Sequence, residues 1–244
     1  MLLSKLIKNE DYNEMVEEGK VITDVHKAIS MWHPEQHHHR LWEYALAQKA
    51  LTHLFGTKKG LKVSDHGCGT GFLSPILCWL GHNVWMYDCW GGAFKNQEEY
   101  ALEQMRQVKL HSPESGTYEM RNSPLGKLTD KDRFVDAAFC VSVLEHIRDY
   151  QTAFRDLLST VKPGGLVFLT TDFGDHEQDD YNCREVRAGK MFTGRTYDEL
   201  FAIGQQEGFS LLGGCADWCW SEANRLVMGY GFGSMALVRG RAYE

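Results

Sequence analysis

The sequence lacks any long uninterrupted run of apolar residues. Its longest apolar stretches, around 72–80 and 134–144, are about ten residues long, and a membrane-spanning helix needs about twenty. The amino-terminal segment also lacks a signal-peptide core, because the amide Asn9 and the acid Glu10 interrupt its apolar residues. We therefore expect a cytoplasmic protein without membrane insertion.

The sequence also has fewer basic residues than acidic ones. Lys and Arg total 26 against 33 for Asp and Glu, so the formal net charge is −7. An acidic surface does not attract DNA, RNA or anionic lipid electrostatically. This balance favours a small neutral or cationic substrate, or a protein partner.

The seven cysteines form an odd set without the spacing of a disulfide framework. Three of them, Cys68, Cys78 and Cys140, fall in a predicted strand, a predicted helix or the glycine-rich turn, which favours reduced thiols. Cys215 and Cys219 have a CxxxC spacing without the second pair that a structural zinc site normally has. We therefore expect neither disulfides nor a zinc centre.

A length of 244 residues allows one large α/β domain or two small ones. The pattern predicts strands over 61–66, 83–88, 117–121, 134–142, 166–171, 209–213 and 234–239. It predicts helices over 40–55, 70–80, 94–108, 150–161 and 196–206, the last opened by a capping box of Thr196 and Glu199. Residues 1–30 indicate one or two short helices. Regular alternation predicts a doubly wound, parallel α/β sheet over 59–244, preceded by an N-terminal helical extension over 1–58.

A glycine-rich turn follows the first strong strand. Gly67, Gly69 and Gly71 would let the backbone turn tightly and approach a ligand without obstruction by Cβ atoms. Asp88 ends the next strand, 17 residues beyond Gly71. Because the carboxyl ends of neighbouring parallel strands share a crevice, Asp88 can accept two ribose hydroxyls. The combination predicts a nucleoside-binding site.

A nicotinamide or flavin dinucleotide site is the first alternative. Its G-x-G-x-x-G fingerprint needs a glycine where this sequence has Phe72, whose side chain would block the close approach of helix and strand. The compact G-x-G-x-G form suits a ligand without a pyrophosphate.

Four segments resemble, in order, the motifs of class I S-adenosylmethionine-dependent methyltransferases. They are the glycine-rich run Val63–Gly71, the acid Asp88, the fourth-strand signature from Phe134 to Ile147 with its Leu-Glu-His, and the Pro-Gly-Gly turn of Val161–Leu166. The resemblance spans residues 61–171 and is weak or missing outside them. It implies a mostly parallel Rossmann-like sheet with an antiparallel last strand, and S-adenosyl-L-methionine as the cofactor.

The resemblance also implies roles for single residues at the cofactor site. Asp65 is expected to face the amino group of the cofactor, directly or through water. Gly67 and Gly69, in the turn that Gly71 completes, are expected to line the methionine portion, and Asp88 to hold the ribose.

Three further residues are expected near the cofactor. Ser142, at the end of the fourth strand, would flank the methionine side through backbone contacts. Asn122 and Ser123 are the candidates for the contact that the family often makes with the adenine amino group. His66 stands where the family prefers an apolar residue, and we expect it to pack and hydrogen-bond behind the turn rather than to act in catalysis.

The reaction class is displacement at a sulfonium methyl, for which the protein mainly aligns donor and acceptor and, where needed, removes a proton. His146 and His176 are the candidate catalytic residues. His176 belongs to the segment 171–192, which is long for a strand–helix connection and therefore a candidate binding loop, although a solvated charged loop is the alternative. Trp218 and Trp220 can wall an acceptor pocket or belong to the core.

A metal centre is not expected. Adjacent histidines such as His37–His39 rarely all face one ion. The stretch around Glu145 resembles that of quinone-biosynthesis O-methyltransferases that bind a divalent metal, but this sequence has Ser142 where those enzymes have a further acid.

The acceptor is the least determined part of the prediction. DNA base methylation is disfavoured because the sequence has neither a Pro-Cys pair nor an [DN]-P-P-[YF] run after the fourth strand. We expect a methyltransferase acting on a small-molecule or glycan acceptor, with oxygen as the methylated atom. The alternatives are a protein or RNA methyltransferase and a non-catalytic binding module with the same fold.

Overall fold

The computed structural model describes residues 3–8, 20–29, 34–70, 72–90, 96–129, 134–175, 190–221, 224 and 231–240. Its centre is a seven-stranded sheet with the strand order β4-β3-β2-β5-β6-β9-β7. These strands are β2 (Lys62–His66), β3 (Asn83–Asp88), β4 (Tyr118–Asn122), β5 (Val135–Val141), β6 (Val161–Phe173), β7 (Phe209–Leu211) and β9 (Gly231–Arg239). Strand β9 runs antiparallel to both of its neighbours, and the other pairs are parallel.

Helices cover both faces of this sheet. They are α1 (Lys20–Ala28), α2 (Pro34–Phe55), α3 (Leu73–Trp79), α4 (Gln97–His111), α5 (Tyr150–Thr160) and α6 (Gly194–Gln206), with a 3-10 turn over Leu144–His146. None of the helices in the described part of the chain is long and apolar enough to cross a membrane.

The central strand β5 shows why the two layers form. Successive side chains of a strand point to opposite faces, so Phe139 joins the core beneath α1–α4 while Cys140 joins the core beneath α5 and α6. Both side chains are fully buried. A strand that is apolar on both faces needs a covering layer on each side. The predicted doubly wound sheet with an antiparallel last strand is confirmed.

The amino-terminal segment differs from the prediction of short helices alone. Helix α1 is present, but Ser4–Lys5 form a strand, β1, which pairs in parallel with β8 (Ala216–Asp217). Helix α2 packs against β5 and β6. The division of the chain at residue 58 stays a prediction.

Helix α6 begins earlier than predicted, and its predicted capping box is wrong. Thr193 is the N-cap: its side chain accepts the backbone N–H of Thr196, whose hydroxyl accepts the N–H of Thr193 in return. Thr196 is therefore the third residue of the helix rather than its cap. Glu199 instead pairs with Arg195 on the helix surface.

Candidate functional site

The glycine-rich turn lies at the carboxyl end of β2 and is bonded to the end of β3. The N–H groups of Gly67 and Cys68 donate to the Tyr87 carbonyl at 2.8 and 3.1 Å. The N–H of Gly69 donates to Oδ2 of Asp88 at 2.8 Å. The turn and the acid of the predicted nucleoside site are therefore brought together, as the sequence predicted.

Two glycines of this turn are needed for different reasons. Gly67 has a φ of +70°, and a Cβ there would lie 2.4 Å from the Val143 side chain. Gly69 also has a positive φ, +54°, but a Cβ there would meet no atom within 4 Å. Gly67 thus permits close packing inside the protein, whereas Gly69 faces open space. Gly71 lies outside the described residues.

The Asp88 carboxylate accepts hydrogen bonds from several main-chain N–H groups. Besides the N–H of Gly69, it accepts the N–H of Cys89 at 2.7 Å and that of Trp90 at 3.4 Å, both through Oδ1. These bonds fix the orientation of the carboxylate at the carboxyl edge of the sheet. Asn122 is its partner in the next strand and is exposed at the same edge. Ser123 follows, with its hydroxyl 3.4 Å from the Lys127 carbonyl.

Asp65 is the acid of the site whose pKa is clearly shifted from its ordinary value. It is 3% exposed, and its Oδ2 accepts the Ser74 hydroxyl at 2.6 Å. Burial raises the pKa of Asp65 from 3.8 to about 7; the bond from Ser74 opposes the rise, and the nearby charge of Asp88 adds to it. A cationic group placed beside Asp65 would restore its charge.

Ser142 lies in an unusual conformation at the end of β5. Its φ of +50° is in the left-handed region, which costs a residue other than glycine about 1–3 kcal/mol. Its N–H donates to the Thr170 carbonyl at 3.0 Å, and its hydroxyl donates to Oε1 of Glu43 at 2.7 Å. The Thr170 hydroxyl donates to the same oxygen of Glu43. Ser142 is thus held by partners on two other elements.

Glu43 was not anticipated from the sequence. It is fully buried in α2, and it connects this helix to the ends of β5 and β6. The signal was present, because Glu43 interrupts the apolar run of Leu41, Trp42, Tyr44 and Ala45. A charged residue on the buried face of a helix needs hydrogen-bond partners, and the sequence did not show which residues supply them.

Gln104 was missed as well. Its side chain is fully buried in α4, and its Nε2 donates to the Thr70 carbonyl at 2.7 Å. It therefore holds the glycine-rich turn from the helix side. Its position 34 residues further along the chain gave no local pattern to detect.

His66 packs behind the turn, as expected. It is fully buried, its ring stacks on Tyr87 at a centroid distance of 4.5 Å, and its Nε2 lies 2.9 Å from the Ser64 hydroxyl. Such a side chain supports the strand and does not face a crevice.

Of the two candidate catalytic histidines, only His146 belongs to the residues that the structure describes. His146 ends the 3-10 turn after β5 and is half-buried, with its N–H donating to the Val143 carbonyl. It therefore lies at the same edge of the sheet as the glycine-rich turn. The neighbouring Glu145 is fully buried and accepts the N–H of Asp172 at 3.2 Å. His176 lies outside the described residues.

Within the described part of the chain, no group of three His, Cys, Asp or Glu is arranged to hold a metal ion. The side chains of His37–His39 are outside that part. Cys215 and Cys219 are both exposed, free thiols.

The comparisons with known proteins agree with this geometry. A family model described as a methyltransferase domain matches residues 31–212. A ubiquinone biosynthesis O-methyltransferase of Bordetella avium is 31% identical over 147 residues, 59% of this chain and 56% of that protein. One from Xanthomonas axonopodis pv. citri is 34% identical over 114 residues, 46% of this chain and 43% of that protein. The chain spans about half the length of these curated relatives.

Solved structures share the fold at low identity. A 1,6-didemethyltoxoflavin-N1-methyltransferase of Burkholderia thailandensis has a TM-score of 0.59 at 15% identity, over 96% of this chain and 92% of that one. A protein named as a [4+2]-cyclase, SpnF, has the same TM-score and identity over 82% of this chain and 83% of that one. Similarity at this level establishes the fold only.

The fold and the glycine-rich site together define a class I, Rossmann-like methyltransferase of the S-adenosylmethionine-dependent type. Because the family model covers most of the chain, the chain belongs to the methyltransferase domain family. The cofactor of that class is S-adenosylmethionine, so the cofactor predicted from the motifs is confirmed for the family.

Proposed function

We propose that the protein transfers a methyl group from S-adenosylmethionine to an oxygen of a small-molecule or glycan acceptor. The observation that carries this proposal is the pairing of Gly69, open on its Cβ side, with an Asp88 carboxylate oriented by three main-chain N–H groups. This arrangement leaves room for a nucleoside at a fixed hydrogen-bond acceptor.

The residues present fit the cofactor. Asp88 accepts the ribose hydroxyls, and Asn122, exposed beside it in the register of β4, faces the adenine together with Ser123. Asp65 pairs with the amino group, because a neighbouring cation would stabilise the ionised form of its buried carboxyl. Gly69 leaves the turn open toward the methionine portion. S-adenosylmethionine supplies a methyl group that is already activated on a sulfonium.

Ser142 flanks the methionine side of the cofactor, and His146 lies on the acceptor side of the site. Ser142 uses its N–H and hydroxyl on Thr170 and Glu43, so its contribution is to fix the turn that carries Val143 against Gly67. His146, half-buried at the end of that turn, is the candidate base for an acceptor hydroxyl, with His176 as the second candidate.

Two observations favour a small acceptor and oxygen. The two curated relatives described above are named as ubiquinone biosynthesis O-methyltransferases. The net charge of −7 disfavours an RNA acceptor. The second candidate function is a binding or non-methylating protein, because SpnF shares the fold and is named as a cyclase. Protein methylation remains the alternative for the acceptor.

Calorimetric titration separates these possibilities. We expect S-adenosylhomocysteine to bind, and Asp88→Ala to weaken binding by about 1–3 kcal/mol because a buried hydrogen bond is lost. Glu119→Ala is the matched control, since Glu119 is an acid on the neighbouring strand β4 that pairs with Arg121 instead. Equal affinities of Asp88→Ala and the unchanged protein would refute the site.

Methyl transfer itself is tested with labelled S-adenosylmethionine. Incubation with a fractionated lysate should label the small-molecule fraction, and counts confined to protein or RNA would favour the alternative acceptors. Binding of the cofactor without any transfer would support the non-methylating function.

A further inference from the structure

Helix α2 contacts the carboxyl edge of the sheet through the carboxyl group of Glu43. This side chain is fully buried, and its neighbours Leu41, Trp42, Tyr44 and Ala45 are all buried and hydrophobic. An apolar residue would therefore fit the same position. A buried carboxyl group is less favourable there unless hydrogen bonds compensate for its lost hydration. The partners of Glu43 therefore indicate what its carboxyl group does.

The partners of Glu43 lie at the carboxyl ends of two adjacent strands, β5 and β6. Oε1 of Glu43 accepts the Ser142 hydroxyl at 2.7 Å and also the Thr170 hydroxyl, from residues 99 and 127 positions away in the chain. The N–H of Ser142 donates to the Thr170 carbonyl at 3.0 Å and to the hydroxyl oxygen of the same residue at 3.2 Å. These three residues therefore form a closed set of hydrogen bonds that joins α2 to both strands.

Ser142 is the member of this set whose backbone conformation needs support. Its φ of +50° is in the left-handed region, which is unfavourable for a residue with a Cβ. The next residue, Val143, packs its side chain on Gly67, where a Cβ would lie 2.4 Å from Cγ2 of the valine. If Ser142 relaxed to an ordinary conformation, Val143 would leave this contact. One side of the glycine-rich turn therefore depends on the bonds that hold Ser142.

We propose that Glu43 is a positioning residue for the glycine-rich turn. By holding Ser142 in its left-handed conformation, Glu43 keeps Val143 packed against Gly67. The docking of α2 on the sheet is thereby coupled to the affinity for the methyl donor. This inference rests on the proposed function, since the turn is the proposed donor site. A purely structural role of Glu43 would affect the stability of the fold alone.

Titration with S-adenosylhomocysteine tests the effect on binding. Glu43→Met keeps most of the side-chain volume and removes the acceptor, so its affinity should fall about five- to tenfold. Glu43→Gln keeps an acceptor oxygen and should stay within about twofold of the unchanged protein. Leu51→Ala is the matched control, because Leu51 is buried about two turns further along the same helix. Its melting temperature should fall while its affinity stays within about twofold.

A double-mutant cycle with Ser142→Gly tests the route of the effect. Glycine adopts the left-handed φ without support, so Glu43→Met should change the affinity less than about twofold in this background. An equal loss of affinity in both backgrounds would overturn the proposal, because Glu43 would then act through other residues. A lower melting temperature of Glu43→Met with unchanged affinity would also overturn it, and so would equal losses of affinity in Glu43→Gln and Glu43→Met.

Hydrogen exchange without any cofactor separates failure of this inference from failure of the proposed function. The N–H groups of Gly67 and Cys68 bond to the Tyr87 carbonyl, and Glu43→Met should speed their exchange more than Leu51→Ala does. If S-adenosylhomocysteine does not bind the unchanged protein but exchange responds in this way, the positioning role stands and the donor site is wrong. If S-adenosylhomocysteine binds and neither its affinity nor the exchange responds to Glu43→Met, the positioning role is wrong and the donor site stands.

Discussion

The carboxyl edge of the sheet has two halves that are built differently. On the half proposed to bind the methyl donor, at the ends of β2 and β3 and called the donor half below, the contacts are mostly made by the main chain: the N–H groups of Gly67, Cys68 and Gly69 bond to Tyr87 and Asp88. On the other half, beyond β6, a cavity is walled by side chains such as Trp218 and Trp220. A main-chain site constrains which residues can occupy a few consecutive positions, whereas a side-chain site depends on residues far apart in the chain.

The largest expected effect is a loss of stability in the glycine-rich turn of the donor half. Gly67→Ala should destabilise the protein by about 2–4 kcal/mol, because the new Cβ would overlap Val143 and the left-handed φ is unfavourable for alanine. Gly69→Ala should cost only about 1 kcal/mol, since no atom lies near its Cβ.

Urea unfolding measures the stability of the two variants, and titration with S-adenosylhomocysteine measures their function. The new methyl group of Gly69→Ala points into the space proposed for the cofactor, so its affinity should fall more than its stability. Equal loss of stability in both variants would contradict the division between a packed and an open glycine.

The difference between main-chain and side-chain sites explains how much of the fold the sequence could predict. The turn from Gly67 to Gly69 and the acid at Asp88 are short-range signals, and the alternation of strands and helices fixed the fold class. The predicted ends of helices and strands were less accurate where a hydrogen bond outside the predicted element determines them. Strand β1 exists because Ser4 pairs with Ala216, and α6 begins at Gly194 because the Thr193 hydroxyl caps it.

The candidate site was predictable to the same degree. Asp65 and Asp88 lie where their spacing from the glycines placed them. Glu43 and Gln104 reach the site from helices 99 and 34 residues away from their partners, Ser142 and Thr70, so no local pattern linked them to it. The cavity beside Trp220 needs β6, α6 and β8 to be in place, which only the tertiary structure provides.

Glu43 is an exception to this division, because a side chain from α2 holds the turn after β5, whose Val143 packs against Gly67 of the donor half. Glu43→Ala should destabilise the protein by about 2 kcal/mol, since the buried hydroxyls of Ser142 and Thr170 lose their acceptor. Glu43→Gln keeps an acceptor oxygen and should stay within about 1 kcal/mol of the unchanged protein. Chemical denaturation measures both.

Backbone strain at Ser142 supplies an independent check of the same turn. Ser142→Gly loses the hydroxyl but adopts a φ of +50° without strain, whereas Ser142→Ala loses the hydroxyl and keeps the strain. Ser142→Gly should therefore be the more stable variant, the reverse of the usual order of glycine and alanine. The opposite order would show that the left-handed conformation is not maintained.

A smaller effect, about tenfold in affinity per pH unit, is expected from Asp65. Its pKa of about 7 lies above the ordinary 3.8, so between these values the folded protein holds a proton that the unfolded chain has released. Stability contributed by this residue is therefore present at low pH and lost as the pH rises through 7. A cofactor ammonium needs the ionised form, so affinity for S-adenosylhomocysteine should rise up to pH 7 and then level off.

Titration at pH 6 in two buffers of different ionisation enthalpy should show release of close to one proton on binding. Asp65→Asn can still accept the Ser74 hydroxyl but does not titrate, so its affinity should be lower and flat with pH. The same pH dependence in Asp65→Asn would assign the titration to another group.

The smallest effect concerns the half of the edge beyond β6, where the first turn of α6 borders the cavity. Thr193→Ala should cost about 1 kcal/mol, because the N–H of Thr196 loses its cap. Glu199→Ala should change stability by less than about 0.5 kcal/mol, because Glu199 contributes only an exposed pair with Arg195. The sequence pattern alone, with Thr196 as cap and Glu199 as its partner, predicts a large loss for Glu199→Ala instead. Denaturation of the two variants therefore decides whether this end of the helix is fixed by the hydroxyl of Thr193, and with it one wall of the cavity.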